Sequence, residues 1–195
     1  MNDLPRRGFI IGTATLGAYG LLLGVQRACR FALAGDKPLI RNSGHVQIVR
    51  FAEDGTRQGL ETVTKIIKSD TEWHRSLSSD EFDVTRRADT ERPFSGTYYN
   101  NHEPGLYRCI CCGNAVFSSS TKFDSGTGWP SFWASIAAEN ISTNIDLSFG
   151  MSREEVTCVL CDAHLGHVFE DGPKPTGLRY CINSLALRFI PREKT

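Results

Sequence analysis

The chain has 195 residues, 40% of them hydrophobic and 23% charged, with 22 basic and 22 acidic side chains. That length and balance are enough for one globular domain with a real core, and they exclude a disordered polymer. Arg6, Arg7, Arg27 and Arg30 stand against Asp3 in the first 34 residues, so the remainder holds 18 basic and 21 acidic groups, a net of −3 that argues against nucleic acid as a partner.

Residues 1–34 read as an export signal. A paired-arginine start, Arg6-Arg7-Gly8-Phe9-Ile10, leads into an apolar run from Phe9 to Val25 softened by glycines at 12, 17, 20 and 24, and Ala32-Leu33-Ala34 offers small residues for cleavage. This resembles a twin-arginine signal, the bacterial route for folded cargo, and it implies a periplasmic protein. The alternative is an uncleaved anchor in the inner membrane facing the periplasm, since the run is near the lower length limit for a span. Only on that alternative would a membrane be a partner.

Residues 35–68 read as a linker and an N-terminal hairpin. Strands are expected at 45–51 and 60–67, joined around the turn signal Asp54-Gly55. The third segment, 69–195, opens with Ser69-Asp70-Thr71-Glu72, a capping box that predicts a short helix with Trp73 and Leu77 on its inner face. Ser78 to Glu81 repeats the pattern for a second helix reaching about Arg87. The aromatic, turn-rich run from Thr90 to Glu103 is expected to be loop and edge strand. Beyond Tyr107 the sequence is short strands punctuated by glycine and proline, so small helices precede an antiparallel β body.

Seven cysteines are spaced far from randomly. Cys109/Cys112 and Cys158/Cys161 each make a Cys-x-x-Cys pair, and 45 residues separate the pairs. Two such turns can complete a tetrahedron of four thiolates, so the favoured reading is one structural zinc ion, with redox dithiols and disulfides as alternatives. Cys29, Cys111 and Cys181 remain unassigned. Around Cys181, the run Gly177-Leu178-Arg179-Tyr180-Cys181-Ile182-Asn183-Ser184 is a strand pattern that puts Arg179, Cys181 and Asn183 on one face. A guanidinium and an amide beside a thiol can hold it as thiolate, the nucleophilic form. His164 and His167 follow the second cysteine pair and suit acid–base work, and Asp171, two alternations beyond His167, is expected to orient or charge a ring. Gly126-Thr127-Gly128-Trp129-Pro130-Ser131-Phe132 is a loop that can set an aromatic face beside a cleft.

Four motifs in order, Tyr107-Arg108-Cys109-x-x-Cys112-Gly113, Ser125-Gly126-x-Gly128-Trp129-Pro130-Ser131-Phe132, Cys158-x-x-Cys161-x-x-His164-Leu165-Gly166-His167-Val168-Phe169-x-Asp171-Gly172 and the Cys181 strand, resemble the B-type methionine sulfoxide reductases. The match runs from about Ser69 to Pro191. The resemblance implies a mainly β fold of two antiparallel sheets, tent-like, with short N-terminal helices and a pair of zinc knuckles away from the active site. It implies thiol-dependent reduction of the R epimer of methionine sulfoxide in oxidised proteins, with an external thiol or thioredoxin-like reductant. Position by position, Cys181 corresponds to the nucleophile, His164, His167 and Asn183 to groups around the sulfoxide oxygen, and Trp129 to the aromatic that receives the methyl. Arg179 and Asp171 fall at supporting, substrate-binding positions, and Cys109, Cys112, Cys158 and Cys161 at the metal ligands.

The chain departs from the family at one position. Many members carry a resolving cysteine where Thr127 stands here. Cys111 lies inside the first knuckle, so direct reduction of the Cys181 sulfenic acid by an outside thiol is the simpler expectation. Two rivals remain: a zinc-ribbon binding module in which Cys181 is only core, and a thiol–disulfide exchanger, which lacks the expected βαβ context.

Overall fold

In the computed structural model, which describes residues 44–150 and 152–192, the chain enters as a hairpin of β1 (His45–Phe51) and β2 (Arg57–Thr64). The turn between them uses Gly55 at φ 88°, a backbone region that glycine enters without steric cost. Helix α1 (Asp70–His74) follows Ser69, and α2 (Ser79–Arg87) follows Ser78, each with a reciprocal capping box closed by Glu72 or Glu81. The expected edge strand between 90 and 103 does not form. That stretch is turns, and among the described residues strands resume at β3 (Gly105–Cys109).

From there the chain is β4 (Ala115–Ser118), β5 (Lys122–Phe123), β6 (Ser131–Phe132), β7 (Ile141–Asp146), β8 (Arg153–Cys158), β9 (His164–Phe169), β10 (Arg179–Ile182) and β11 (Leu187–Pro191). Every pairing is antiparallel. The described strands make a six-stranded sheet in the order β5-β6-β10-β9-β8-β7, a three-stranded sheet β11-β3-β4, and the separate hairpin β1-β2.

The fold is therefore mainly β with short N-terminal helices, as expected, but it has three sheets where two were expected. The hairpin is the third. Its backbone finds a side-chain amide instead of a neighbouring strand: Val49 N–H donates to Asn140 Oδ1 at 2.7 Å, and Asn140 Nδ2 donates to the Val49 carbonyl at 2.9 Å. The same Nδ2 donates to the Ala115 carbonyl at 2.7 Å, so one fully buried amide bridges hairpin and three-stranded sheet without extending either.

The two larger sheets meet through aromatic side chains. Phe117 of β4 stacks on Phe132 of β6 at 4.5 Å between centroids, Tyr107 of β3 meets Phe132 edge-on at 5.1 Å, and Tyr180 of β10 closes on Phe117 at 5.6 Å. Trp73 and Phe82 bury the helices against this body. Arg86 of α2 donates from Nη1 to the Cys161 carbonyl at 2.9 Å, which ties the second helix to the second cysteine turn. No helix among the described residues is long and apolar enough to cross a membrane, and the expected signal at 1–34 lies outside them.

Candidate active site and thiol cluster

Strand β10 is central to the six-stranded sheet, and its register composes the site. Cys181 pairs with Ser131 of β6 on one side and His167 of β9 on the other, and His167 pairs in turn with Glu155 of β8. Directly opposed residues share a face and lie about 5 Å apart at Cβ, so thiol, imidazole and carboxylate form one row across the sheet. Gly166 is needed beside this row because a Cβ there would overlap the Cys181 carbonyl.

A cavity of about 140 Å³ opens on the row, lined by Trp129, Arg153, His167, Phe169, Cys181 and Asn183 among others. A larger hollow of about 590 Å³ beside Glu53, Asp54 and Arg192 is lined by neither cysteine nor histidine. Trp129 is positioned by its Nε1–H, which donates to the Glu91 carbonyl at 3.1 Å, and by Gly128, where a Cβ would strike the backbone of Phe94. Strand β10 stops at Ile182, so Asn183 begins a 3-10 turn instead of continuing the strand. It still faces the cavity, with its Oδ1 accepting from Glu91 N–H at 3.1 Å and its Nδ2 donating to the Leu165 carbonyl at 3.2 Å.

The other expected residues divide. His164 is buried and does not line this cavity: Nδ1 lies 2.7 Å from Glu155 Oε1, and Nε2 has no partner among the described residues. Its ring sits 5.3 Å from that of His167. Asp171 does not orient a histidine, contrary to expectation. Its carboxylate takes a two-pronged ion pair from Arg179, Nε to Oδ1 and Nη2 to Oδ2, both at 2.8 Å, because the guanidinium fork matches a carboxylate better than an imidazole does. The pair holds Asp171 below the usual carboxylate range, and the Arg179 guanidinium lies over the Phe169 ring at 4.4 Å.

The carboxylate on His167 is Asp146, with Oδ2 at 2.9 Å from Nε2. Asp146 is pushed well below the ordinary range by its hydrogen bonds to Ser148 and His167 and by the charge of Arg153. Burial lowers His167, with Asp146 pulling the other way. The expected resting thiolate is also corrected. Burial raises the Cys181 thiol above its ordinary value, outweighing Thr127 and Arg179, which lower it.

Sequence reasoning missed Asp146, Glu155 and Glu91. Glu91 is buried and its carboxylate accepts from the N–H groups of Ser184 at 2.7 Å and Leu185 at 2.9 Å, so it fixes the turn after Cys181 while its backbone holds Trp129 and Asn183. The one available signal was an acidic residue inside an aromatic, turn-rich run. Thr127 has its Oγ1 3.9 Å from Cys181 Sγ.

The four cysteines of the two pairs converge elsewhere in the molecule. Their sulfurs lie within 4.8 Å of one another, with Cys109 and Cys161 at 3.7 Å and Cys112 and Cys158 at 3.5 Å. None of these separations is a disulfide bond, and all six described cysteines are free. A tetrahedral ion with metal–sulfur bonds of about 2.3 Å requires sulfurs about 3.8 Å apart, so the cluster fits a bound metal and leaves no open position for substrate. Asn114 Nδ2 donates to Cys158 Sγ at 3.6 Å, the kind of outer bond that orients a metal thiolate. Cys111 stays outside the set.

A family model described as the SelR domain matches residues 77–191. The chain is 58% identical over 125 residues to peptide methionine sulfoxide reductase MsrB of Herminiimonas arsenicoxydans, covering 64% of this chain and 91% of that one. It is 60% identical over 126 residues to the protein of the same name from Thioalkalivibrio sulfidiphilus, with 65% and 92% covered. Against its namesake in Pseudomonas aeruginosa the figures are 52% over 131 residues, 67% and 99%.

Proposed function

The chain belongs to the SelR-domain family of peptide methionine sulfoxide reductases, the MsrB type, and we propose that it reduces the R epimer of methionine sulfoxide in proteins at a site built on Cys181. The observation that carries this reading is the shared cavity: Cys181, His167, Asn183 and Trp129 meet in one pocket of about 140 Å³, enough for a single thioether-sized side chain. Cys181 attacks the sulfoxide sulfur and the S–O bond breaks. Methionine leaves, and Cys181 is left as sulfenic acid. The leaving oxygen needs a proton from a group aimed at it, and a histidine meets that requirement, with Asn183 lining the same cavity. The Trp129 face takes the methyl and so distinguishes the two epimers, while the Arg179–Asp171 pair borders the strand.

A zinc ion held by Cys109, Cys112, Cys158 and Cys161 is the proposed metal, supported by the all-thiolate set and its tetrahedral spacing. Its part is to fasten two turns of the β body. The paired arginines and apolar run of residues 1–34 support a periplasmic place of action on oxidised exported proteins, with 35–68 as linker and hairpin and 69–195 as the reductase domain.

Incubated with a thiol reductant and chromophore-tagged methionine sulfoxide, the purified protein is expected to consume the R epimer and leave the S epimer. Equal consumption of both, or of neither, would refute the assignment.

With Thr127 at the position where a resolving cysteine stands in many family members, no cysteine among the described residues stands beside Cys181 to condense with the sulfenic acid, and an external thiol or thioredoxin-like protein is the proposed reductant that returns Cys181 to the thiol. Thr127→Cys is expected to convert the product of a single turnover from a dimedone-reactive sulfenic acid to an internal disulfide, because the replaced atom already stands 3.9 Å from Cys181 Sγ. Peptide mapping of the two proteins after one turnover without reductant reads the difference.

A further inference from the structure

Asp146 is held from three sides. Its Oδ1 accepts from Ser148 N–H at 2.8 Å, and its Oδ2 accepts from Arg153 Nη2 at 2.7 Å and lies 2.9 Å from His167 Nε2. Arg153 Nη2 also donates to Ser148 Oγ at 3.0 Å. A carboxylate can only accept, so the proton of a neutral His167 ring is on Nε2, and Nδ1 is the atom able to take another. His167 is the cross-strand partner of Cys181 and lines its cavity.

We propose that Asp146 is a positioning residue that fixes the tautomer of His167, so that His167 receives the Cys181 thiol proton on Nδ1 and passes it to the sulfoxide oxygen. The proposal rests on the sulfoxide reductase reading given above. It makes the step self-contained. The Cys181 S–H bond and the sulfoxide S–O bond break, a new S–O bond forms on Cys181, and the thiol proton ends on that oxygen as the sulfenic O–H. Cys181 loses two electrons and the sulfoxide gains them, so no proton or oxidant enters from outside. The Asp146 carboxylate compensates the imidazolium formed midway. A thiol that is protonated at rest and an imidazole that is neutral at rest suit this sequence, and burial favours both states.

The charged and titratable groups facing His167 are Asp146 from β7, Arg153 and Glu155 from β8, His164 from its own strand, Cys181 from β10, and Arg87 of α2 across a second hollow shared by Asp146 and both histidines. Of these Asp146 alone accepts from His167 Nε2 within hydrogen-bond distance among the described residues.

The test is Asp146→Asn in the full chain, read in two ways. The pH profile of kcat/KM is expected to lose about ten- to a hundredfold on its plateau. Its acid limb is expected to move to lower pH, because removing the carboxylate makes His167 harder to protonate. Imidazole 15N shifts are expected to show an Nε2–H tautomer for His167 in the unsubstituted protein and a tautomer mixture in the variant. An unmoved acid limb at a full plateau, or an Nδ1–H tautomer in the unsubstituted protein, would overturn the proposal. The NMR reading on the unsubstituted protein decides the matter if Asp146→Asn does not fold. It also separates the outcomes, since absence of turnover in the unsubstituted protein would count against the reductase reading and leave the tautomer result standing.

Discussion

Cys181→Ser is expected to lower kcat/KM by about three orders of magnitude or more while the fold and metal content stay unchanged. The loss follows from what the atom must become. Sulfur can accept oxygen to give a stable S–O bond, whereas a serine oxygen would have to form a peroxide. The substitution is otherwise mild, since the hydroxyl is smaller than the thiol and can bond the neighbouring Thr127 hydroxyl. In the unsubstituted protein, alkylation of Cys181 by iodoacetamide is expected to be slower near neutrality than that of an exposed free thiol and to climb as the pH is raised, because burial pushes the thiol above its ordinary value. Stopped-time assays with peptide mapping measure both quantities. Residual turnover at the ordinary rate in Cys181→Ser would remove this residue from the chemistry.

The largest effect on stability is expected from the thiol cluster. Cys158→Ser should release the metal and unfold the domain, with the soluble yield and the cooperative thermal transition both lost. Structural zinc sites in small peptides contribute on the order of 10–16 kcal/mol at neutral pH, as large as the whole of the roughly 5–15 kcal/mol by which most domains are stable. Cys158 is fully buried, so the residual three thiolates would be charges without a cation in a dry environment. Cys111→Ser serves as the control: it lies beside the cluster but is not one of the four, and it should keep the metal. Elemental analysis and circular dichroism distinguish these outcomes, and a folded, metal-free Cys158→Ser protein would show that the cluster does not hold the domain together.

The parts of this molecule that are local were readable in advance. Two capping boxes mark the helix starts because the signal is a serine and a glutamate three residues apart, and both sides of each box form as read. The Cys-x-x-Cys turns are equally local, and only their convergence needed the fold. What the sequence did not reveal depends on register. Asp171 looked like the partner of His167 because it is near in sequence, but Asp146, twenty-one residues away, reaches the ring through β8 and the 3-10 turn that follows β7. The third sheet was missed for a similar reason. Nothing in the hairpin indicates that a buried asparagine ninety-one residues downstream will occupy its backbone. Charge state failed differently: Arg179 beside Cys181 suggested a thiolate, yet its guanidinium is engaged by Asp171, and burial outweighs what remains.

The matched family domain begins at residue 77, yet the hairpin before it is not an appendage. Asn140, the amide that holds Val49, also accepts at its backbone carbonyl from Asn114, whose side chain reaches Cys158 Sγ. Stripping away the leading segment by proteolysis would therefore take from the buried Asn140 amide the donor that its Oδ1 accepts from and one of the two carbonyls that its Nδ2 bonds, one side chain removed from the cysteine cage, so a clipped enzyme should surrender a bound ion to a chelator sooner than the intact one. Upstream sequence of this kind is expected to act as a keeper of whatever ion the four thiolates hold, and shortening it in search of a minimal catalyst would then trade away longevity.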